Sequence, residues 1–220
     1  MHNSINEEEH FEIKPDTKII IIVEGKNDRD FFECYLEHLI KNKIITENLI
    51  QIAKTDGNKK LKQTLNTLQL APNFDNITEV LIIFDSDNSY DETFTRIESQ
   101  TNNFMPKPKI ILMPAFDNSK SGTLEDLCLD ILKTKEKEKY LNISDKAVSE
   151  AEQVSNDKYN SKKRFYTYFS IQDKYVETQM KKIATLNAFN FNAPELTPLK
   201  ELLQKLSTEN KQNNKTPVTA

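Results

Sequence analysis

The chain has 220 residues, 37% of them hydrophobic and 29% charged, with a formal net charge of −4. That length supports one well-buried core, and the composition belongs to a soluble globular protein. No apolar stretch approaches the roughly 20 residues of a membrane helix, and the acidic balance excludes a simple basic phosphate binder unless bound cations reverse the local field.

The opening "MHNSINEEEHFEIK" is acidic and lacks the apolar segment of a secretory signal, which predicts a cytoplasmic protein with no membrane partner. Residues 18–23, "KIIIIV", carry a continuous β-branched run after Lys18, the mark of a strand buried on both faces of a parallel sheet. From Asp28 the period changes: Phe31, Phe32, Tyr35, Leu36, Leu39 and Ile40 recur at helical spacing. "NLIQIAKT" (48–55) predicts a second strand closed by Asp56 and Gly57, and "KKLKQTLNTLQL" a helix with Leu61, Leu65 and Leu68 on one face. "EVLIIFDSD" (79–87) is a third strand ending in acid, followed by a helix over "DETFTRIES" and a fourth strand, "KIILMP" (109–114). "GTLEDLCLDIL" (122–132) opens another helix with Thr123 as N-cap.

Strand and helix alternate four times with short connections, which predicts an α/β fold with a mainly parallel four-stranded sheet flanked by helices. The expected α/β domain covers 15–133. A helical C-terminal extension packed on it covers 134–206, with a helix pair in "SKKRFYTYFSIQDKYVETQMKKIATL" and a docking helix in "PELTPLKELLQKL". Residues 207–220 are polar and aperiodic, and predict a disordered tail.

Cys34 and Cys128 sit within amphipathic helical patterns and read as small buried apolar residues. His2, His10 and His38 show no metal-ligand spacing, and no Ser/His/Asp set is present, so zinc and triad chemistry find no support.

In an open parallel sheet, ligands gather beyond the carboxyl ends of the strands. Three acidic pairs fall at such ends: Glu24 with Asp28, Asp85 with Asp87, and Glu125 with Asp126. If the first and third strands are neighbours, Glu24 and Asp85 face each other. Adjacent carboxylates repel, and a hard divalent cation relieves the repulsion. Mg²⁺ or Mn²⁺ is therefore the expected cofactor, held by Glu24 and Asp28 among others. Asp28 also fits a first-turn acid favoured by its helix dipole, and so do Glu125 and Asp126 after Gly122-Thr123.

"IIIIVEGKNDRDFF" followed by "VLIIFDSDNSYDE" resembles the Toprim fold of topoisomerases, bacterial primases, ribonuclease M5 and the OLD (overcoming lysogenization defect) nucleases. "TDGN" (55–58) resembles the turn after the second Toprim strand, and "GTLEDLCL" resembles a stretch of small stand-alone Toprim-like bacterial proteins of unknown function. The resemblance covers residues 18–132 and implies a Toprim-like Rossmannoid. It implies Glu24 as general base or metal ligand, Asp85 and Asp87 as metal ligands, and Asp28 as the extra acid of OLD-type nucleases. Glu125 and Asp126 are assigned to a possible second metal. After Asp87 the chain reads "NSYDE", with Asn88 or Ser89 where many Toprim proteins carry further acid, which leaves one-metal and two-metal chemistry both open.

Gly25 and Gly57, two of only three glycines, stand beside strand ends and predict tight turns, with Gly122 the third. Lys26, Lys54 and Lys59 are candidates to meet a phosphate. So are Lys162 and Lys163, which precede Arg164, Phe165, Tyr166, Tyr168 and Phe169, although an amphipathic core helix has the same composition. The leading expectation is a metal-dependent nuclease acting on DNA or RNA, in the setting of phage defence that the resemblance suggests. The alternative is a non-catalytic or conditionally active module working with a separate ABC-type ATPase, because this chain has no phosphate-binding Gly-x-x-x-x-Gly-Lys-Ser/Thr loop. A receiver-like phosphoacceptor is disfavoured by the Glu-Gly context and the Asp-x-Asp.

Overall fold

The "IIIIV" run needs apolar cover on two sides, and it has it. A computed structural model describes residues 11–213, apart from 56, 117–118, 135, 157, 159 and 176–178. Strand β1 (Ile19–Val23) is buried at every position. It pairs in parallel with β2 (Ile50–Lys54) on one side and β3 (Glu79–Asp85) on the other, and β4 (Lys109–Met113) continues from β3. The order is β2-β1-β3-β4, all parallel, so the first and third strands are neighbours, the condition under which Glu24 and Asp85 come together.

Alternation along β1 splits the core in two. Ile20 and Ile22 face one layer, with Leu61, Leu65 and Leu68 of α2 (Leu61–Gln69) and Ile97 of α3 (Tyr90–Thr101). Ile19, Ile21 and Val23 face the other, with Phe31, Phe32, Tyr35 and Leu39 of α1 (Lys26–Lys41) and Leu127, Cys128 and Ile131 of α4 (Leu124–Ile131). This is a three-layer α/β arrangement in which each buried aliphatic side chain contributes about 1.5–3 kcal/mol.

The C-terminal segment belongs to the same core. Phe165, Tyr168 and Phe169 of α6 (Ser161–Ser170), Met180 and Ile183 of α7 (Met180–Thr185), and Leu199, Leu203 and Leu206 of α8 (Thr197–Asn213) all join the α1 layer. The helix α5 (Glu138–Ser155) is more peripheral and buries Ser144 and Val148. One expected boundary moves. Helix α8 continues past residue 206 to Asn213, because Ser207 and Asn210 are buried and polar-bonded. The Ser207 hydroxyl accepts from the Thr46 backbone N–H at 3.1 Å, and Asn210 Oδ1 accepts from the Thr78 hydroxyl at 3.1 Å. The remainder of the expected tail, 214–220, lies outside the described residues. No helix among the described residues is long and apolar enough to cross a membrane.

Candidate functional site

Where strand order reverses between β1 and β3, the connections leave in opposite directions and a crevice opens beyond the strand ends. Val23 pairs with Ile83, so Glu24 leaves β1 alongside the last residues of β3, Phe84 and Asp85. A cleft of about 1110 Å³ stands here, with Glu24, Asp28, Asp85, Asp87, Glu125 and Asp126 all on its wall. Each acidic pair expected at a strand end thus reaches one space.

The six acids are held differently. Asp28 is 8% exposed and sits in the first turn of α1, where its Oδ2 accepts the Gly25 backbone N–H at 2.9 Å. The cap and the cluster are therefore the same carboxylate. Glu125, 7% exposed, turns inward from the first turn of α4. Asp85 is half-buried, and its Oδ1 accepts the Leu124 N–H at 2.8 Å, which ties the end of β3 to the start of α4. Asp87 lies on the rim: it is exposed, has φ 52°, and faces Arg96 at 3.8 Å. Asp126 has both oxygens engaged. Oδ2 accepts the Thr123 N–H at 2.8 Å and the Thr123 hydroxyl at 3.1 Å, while Oδ1 accepts the Ser161 hydroxyl. Its first-turn capping role, anticipated from Gly122-Thr123, is the one the geometry shows.

Ser86, between the two aspartates, is fully buried and staples the site. Its hydroxyl donates to the Met113 carbonyl at 2.6 Å and accepts the Gly122 N–H at 2.8 Å. Gly122 has φ 153°, and a Cβ there would fall 2.5 Å from Asp126 Oδ2, so this position requires glycine. Gly57 also turns through positive φ, at 105°. Gly25 does not: its φ of −147° is extended, and its lack of a side chain leaves room for Asp28 Oδ2, which a Cβ would approach to 3.3 Å.

Crowding has an electrostatic consequence. Burial first, then the neighbouring carboxylates of Glu24 and Glu125, push the Asp28 carboxyl up to about 7, against the hydrogen bond from Gly25. Burial, followed by the charge of Asp28, pushes Asp85 up to about 9, with Glu125 and Glu24 adding to it. Beneath them the buried Cys128 thiol is raised well above its ordinary value, by burial first and by Glu125, Asp28 and Asp85 next. Such a group of acids draws protons, or a cation in their place.

Among the described residues, no three His, Cys, Asp or Glu side chains are disposed to hold a metal ion by themselves. The donor set therefore does not form an all-protein cage. It fits the other way of holding Mg²⁺, in which one or two carboxylates bind while waters and a substrate phosphate complete the octahedron. Asp28 and Asp85 each have one oxygen held by a backbone N–H, which fixes the carboxylate and leaves its second oxygen for such a role.

A family model described as a protein of unknown function, DUF3226, matches residues 18–208. The chain belongs to the DUF3226 family. The match takes in the sheet, the acidic cleft and the helices to α8, so the C-terminal helices are part of the family's unit. Neither the search of the curated proteins nor that of the solved structures found a match.

The basic residues of this DUF3226 chain divide. Lys26 and Lys162 line the acidic cleft as expected, whereas Lys54, Lys59 and Lys163 are not among its lining residues. Two arginines also line it: Arg96 from α3, which sequence reasoning passed over, and Arg164 from α6, named there only as part of the basic stretch, which also faces Asp145 at 3.9 Å. The aromatic run behind Lys162-Lys163-Arg164 is core: Phe165, Tyr168 and Phe169 are buried. Tyr166 alone is half-exposed, its hydroxyl accepting from Asn27 Nδ2 at 3.0 Å.

Proposed function

We propose that the chain is a Mg²⁺- or Mn²⁺-dependent phosphodiester hydrolase acting on nucleic acid, with a Toprim-like site of the OLD-nuclease kind. The observation that supports this most is the crowding of Glu24, Asp28, Asp85 and Glu125 at the β1/β3 switch point, where burial first, and the neighbouring carboxylates after it, raise Asp28 and Asp85. Asp85 and Asp28, with Glu24 beside them, would hold the ion. When bound, it would supply charge stabilisation at a phosphoryl oxygen and an activated water.

The chain's own groups have distinct tasks in this reading. Leu124 N–H and Gly25 N–H fix the orientation of the two aspartates. Lys26, Lys162, Arg96 and Arg164 line the same cleft and offset the charge of an incoming phosphate. Asp87, on the rim and facing Arg96, sets the placement of that guanidinium rather than binding as deeply as Asp85. The overall charge of −4 favours weak intrinsic affinity for a polyanion, which keeps a separate ABC-type ATPase in view as the partner that delivers substrate.

The test is cleavage of supercoiled plasmid, linear DNA and tRNA with Mg²⁺ or Mn²⁺, by wild type and by Asp85→Ala. Metal-dependent cutting that disappears in the variant is the expected result. Cutting retained in the folded variant would contradict the proposal.

A further inference from the structure

The first turn of α4 serves the acidic cleft twice. Its Leu124 N–H donates to Asp85 Oδ1, and among the described residues no other donor is bonded to that carboxylate. The next residue, Glu125, turns inward and is 7% exposed. Thr123 and Asp126 bracket the pair and close the turn, because Asp126 Oδ2 accepts both the Thr123 N–H and the Thr123 hydroxyl. Where the Asp126 carboxylate stands therefore decides where the Leu124 N–H points.

Hydrogen bonds, more than packing, hold that carboxylate. Asp126 lines the acidic cleft and also a second cavity of about 620 Å³ at the seam of α4, α5 and α6, so open space flanks it on two sides. The cations on the wall of the second cavity are committed elsewhere: Lys120 and Lys133 to Asp130, and Arg164 to Asp145. Oδ1 is bonded, among the described residues, by one donor alone, the hydroxyl of Ser161, which lies 35 residues further along the chain. Helix α6 does not need that hydroxyl for itself. Asn160 caps it by accepting the Lys163 N–H at 3.3 Å, and Phe165, Tyr168 and Phe169 anchor it in the core.

We propose that Ser161 is a positioning residue for the metal site: through Asp126 it sets the first turn of α4, and with it the placement of Asp85 and Glu125. The inference rests on the hydrolase reading and adds how the C-terminal helices complete its site. Ser161 acts through the cap of α4, and the Leu124 N–H then aims the free oxygen of Asp85 at the ion. Removing an outer partner that orients a metal ligand commonly costs about 10–100-fold in metal affinity. Ser161 stands one step further out, so the low end of that range applies.

The test compares wild type with Ser161→Ala, Ser161→Thr and Ser207→Ala, the last losing a hydroxyl that bonds Thr46. Hydrogen exchange of the Leu124 amide is followed by NMR in the metal-free protein, and Mn²⁺ affinity at pH 8 by electron paramagnetic resonance. In Ser161→Ala the Leu124 amide should exchange about tenfold faster. The same variant should bind Mn²⁺ about tenfold more weakly, while Ser161→Thr, which keeps the hydroxyl, and Ser207→Ala stay within about twofold of wild type. Unchanged Leu124 exchange in Ser161→Ala would overturn the link to Asp85. Faster exchange with unchanged Mn²⁺ affinity, or equal weakening in Ser207→Ala, would overturn the role at the metal site. Each of these leaves the hydrolase reading standing. If wild type binds no Mn²⁺ while Leu124 exchange still depends on Ser161, the hold on Asp85 stands and the hydrolase reading falls with the metal.

Discussion

Replacing Asp85 by Asn tests the electrostatics of the cleft without any substrate. The amide keeps an oxygen for the Leu124 N–H and removes the charge that Asp28, Glu125 and Glu24 oppose. Burial first, and the charge of Asp28 next, push the Asp85 carboxyl up to about 9 without a metal, against 3.8 for an ordinary aspartate. Because the folded-state value is raised, its contribution to stability is fully present below pH 3.8 and is lost as the pH rises toward 9. The slope is about 1.4 kcal/mol per pH unit, or about 4 kcal/mol between pH 5 and pH 8 if unscreened. Asp85 is half-buried and solvent reaches it from the cleft, so about 2 kcal/mol is expected. For a chain of this size that is about 4–8 °C in Tm. Thermal melts with a chelator at pH 5 and pH 8 should show wild type losing that much more than Asp85→Asn. Parallel losses in the two proteins, or a variant less stable than wild type at pH 8, would refute the reasoning.

The other predictions concern the ion, the turn and the C-terminal helices. Adding Mn²⁺ at about a hundred times its dissociation constant should stabilise wild type at pH 8 by about 2.7 kcal/mol, and Asp85→Asn by little; equal shifts in differential scanning fluorimetry would place the ion elsewhere. Gly122→Ala puts a methyl 2.5 Å from Asp126 Oδ2 at φ 153°, and should cost about 1–3 kcal/mol in urea unfolding. A neutral result would mean that the Gly122 turn tolerates a side chain. Leu203→Ala empties a fully buried position on α8 and should cost about 2–5 kcal/mol in the same assay, whereas a peripheral extension would lose under 1 kcal/mol.

Much of the sheet could be read from the chain because a doubly covered strand needs unbroken apolar runs, and 19–23, 80–84 and 110–113 supply them. Strand order could not be read in that way. Nothing in the "IIIIV" run says whether β2 or β3 lies beside it, and the acids implied their adjacency only if they shared a site. Acids at strand ends were legible by position. Glu125 and Asp126 were not distinguishable, since adjacent helical residues point about 100° apart and either could face the cleft. The structure turns Glu125 inward and commits Asp126 to Thr123 and Ser161. Arg96 and Arg164 come from helices far apart in sequence, and only tertiary packing brings them to one wall. Asp30 sits in "NDRD" like any solvated first-turn acid, and its burial depends on packing against α6 and α7. The tail boundary was misplaced because Ser207 and Asn210 are polar residues buried through hydrogen bonds, which a hydropathy pattern cannot anticipate.

The most direct measurement is a Mn²⁺ titration of the metal-free protein at pH 8 by electron paramagnetic resonance, comparing wild type with Asp85→Asn and Asp28→Asn. Saturable binding to wild type, strongly weakened in both variants, is the predicted result. No saturable binding to wild type, or unchanged binding in the two variants, would contradict a metal site at the junction of β1 and β3.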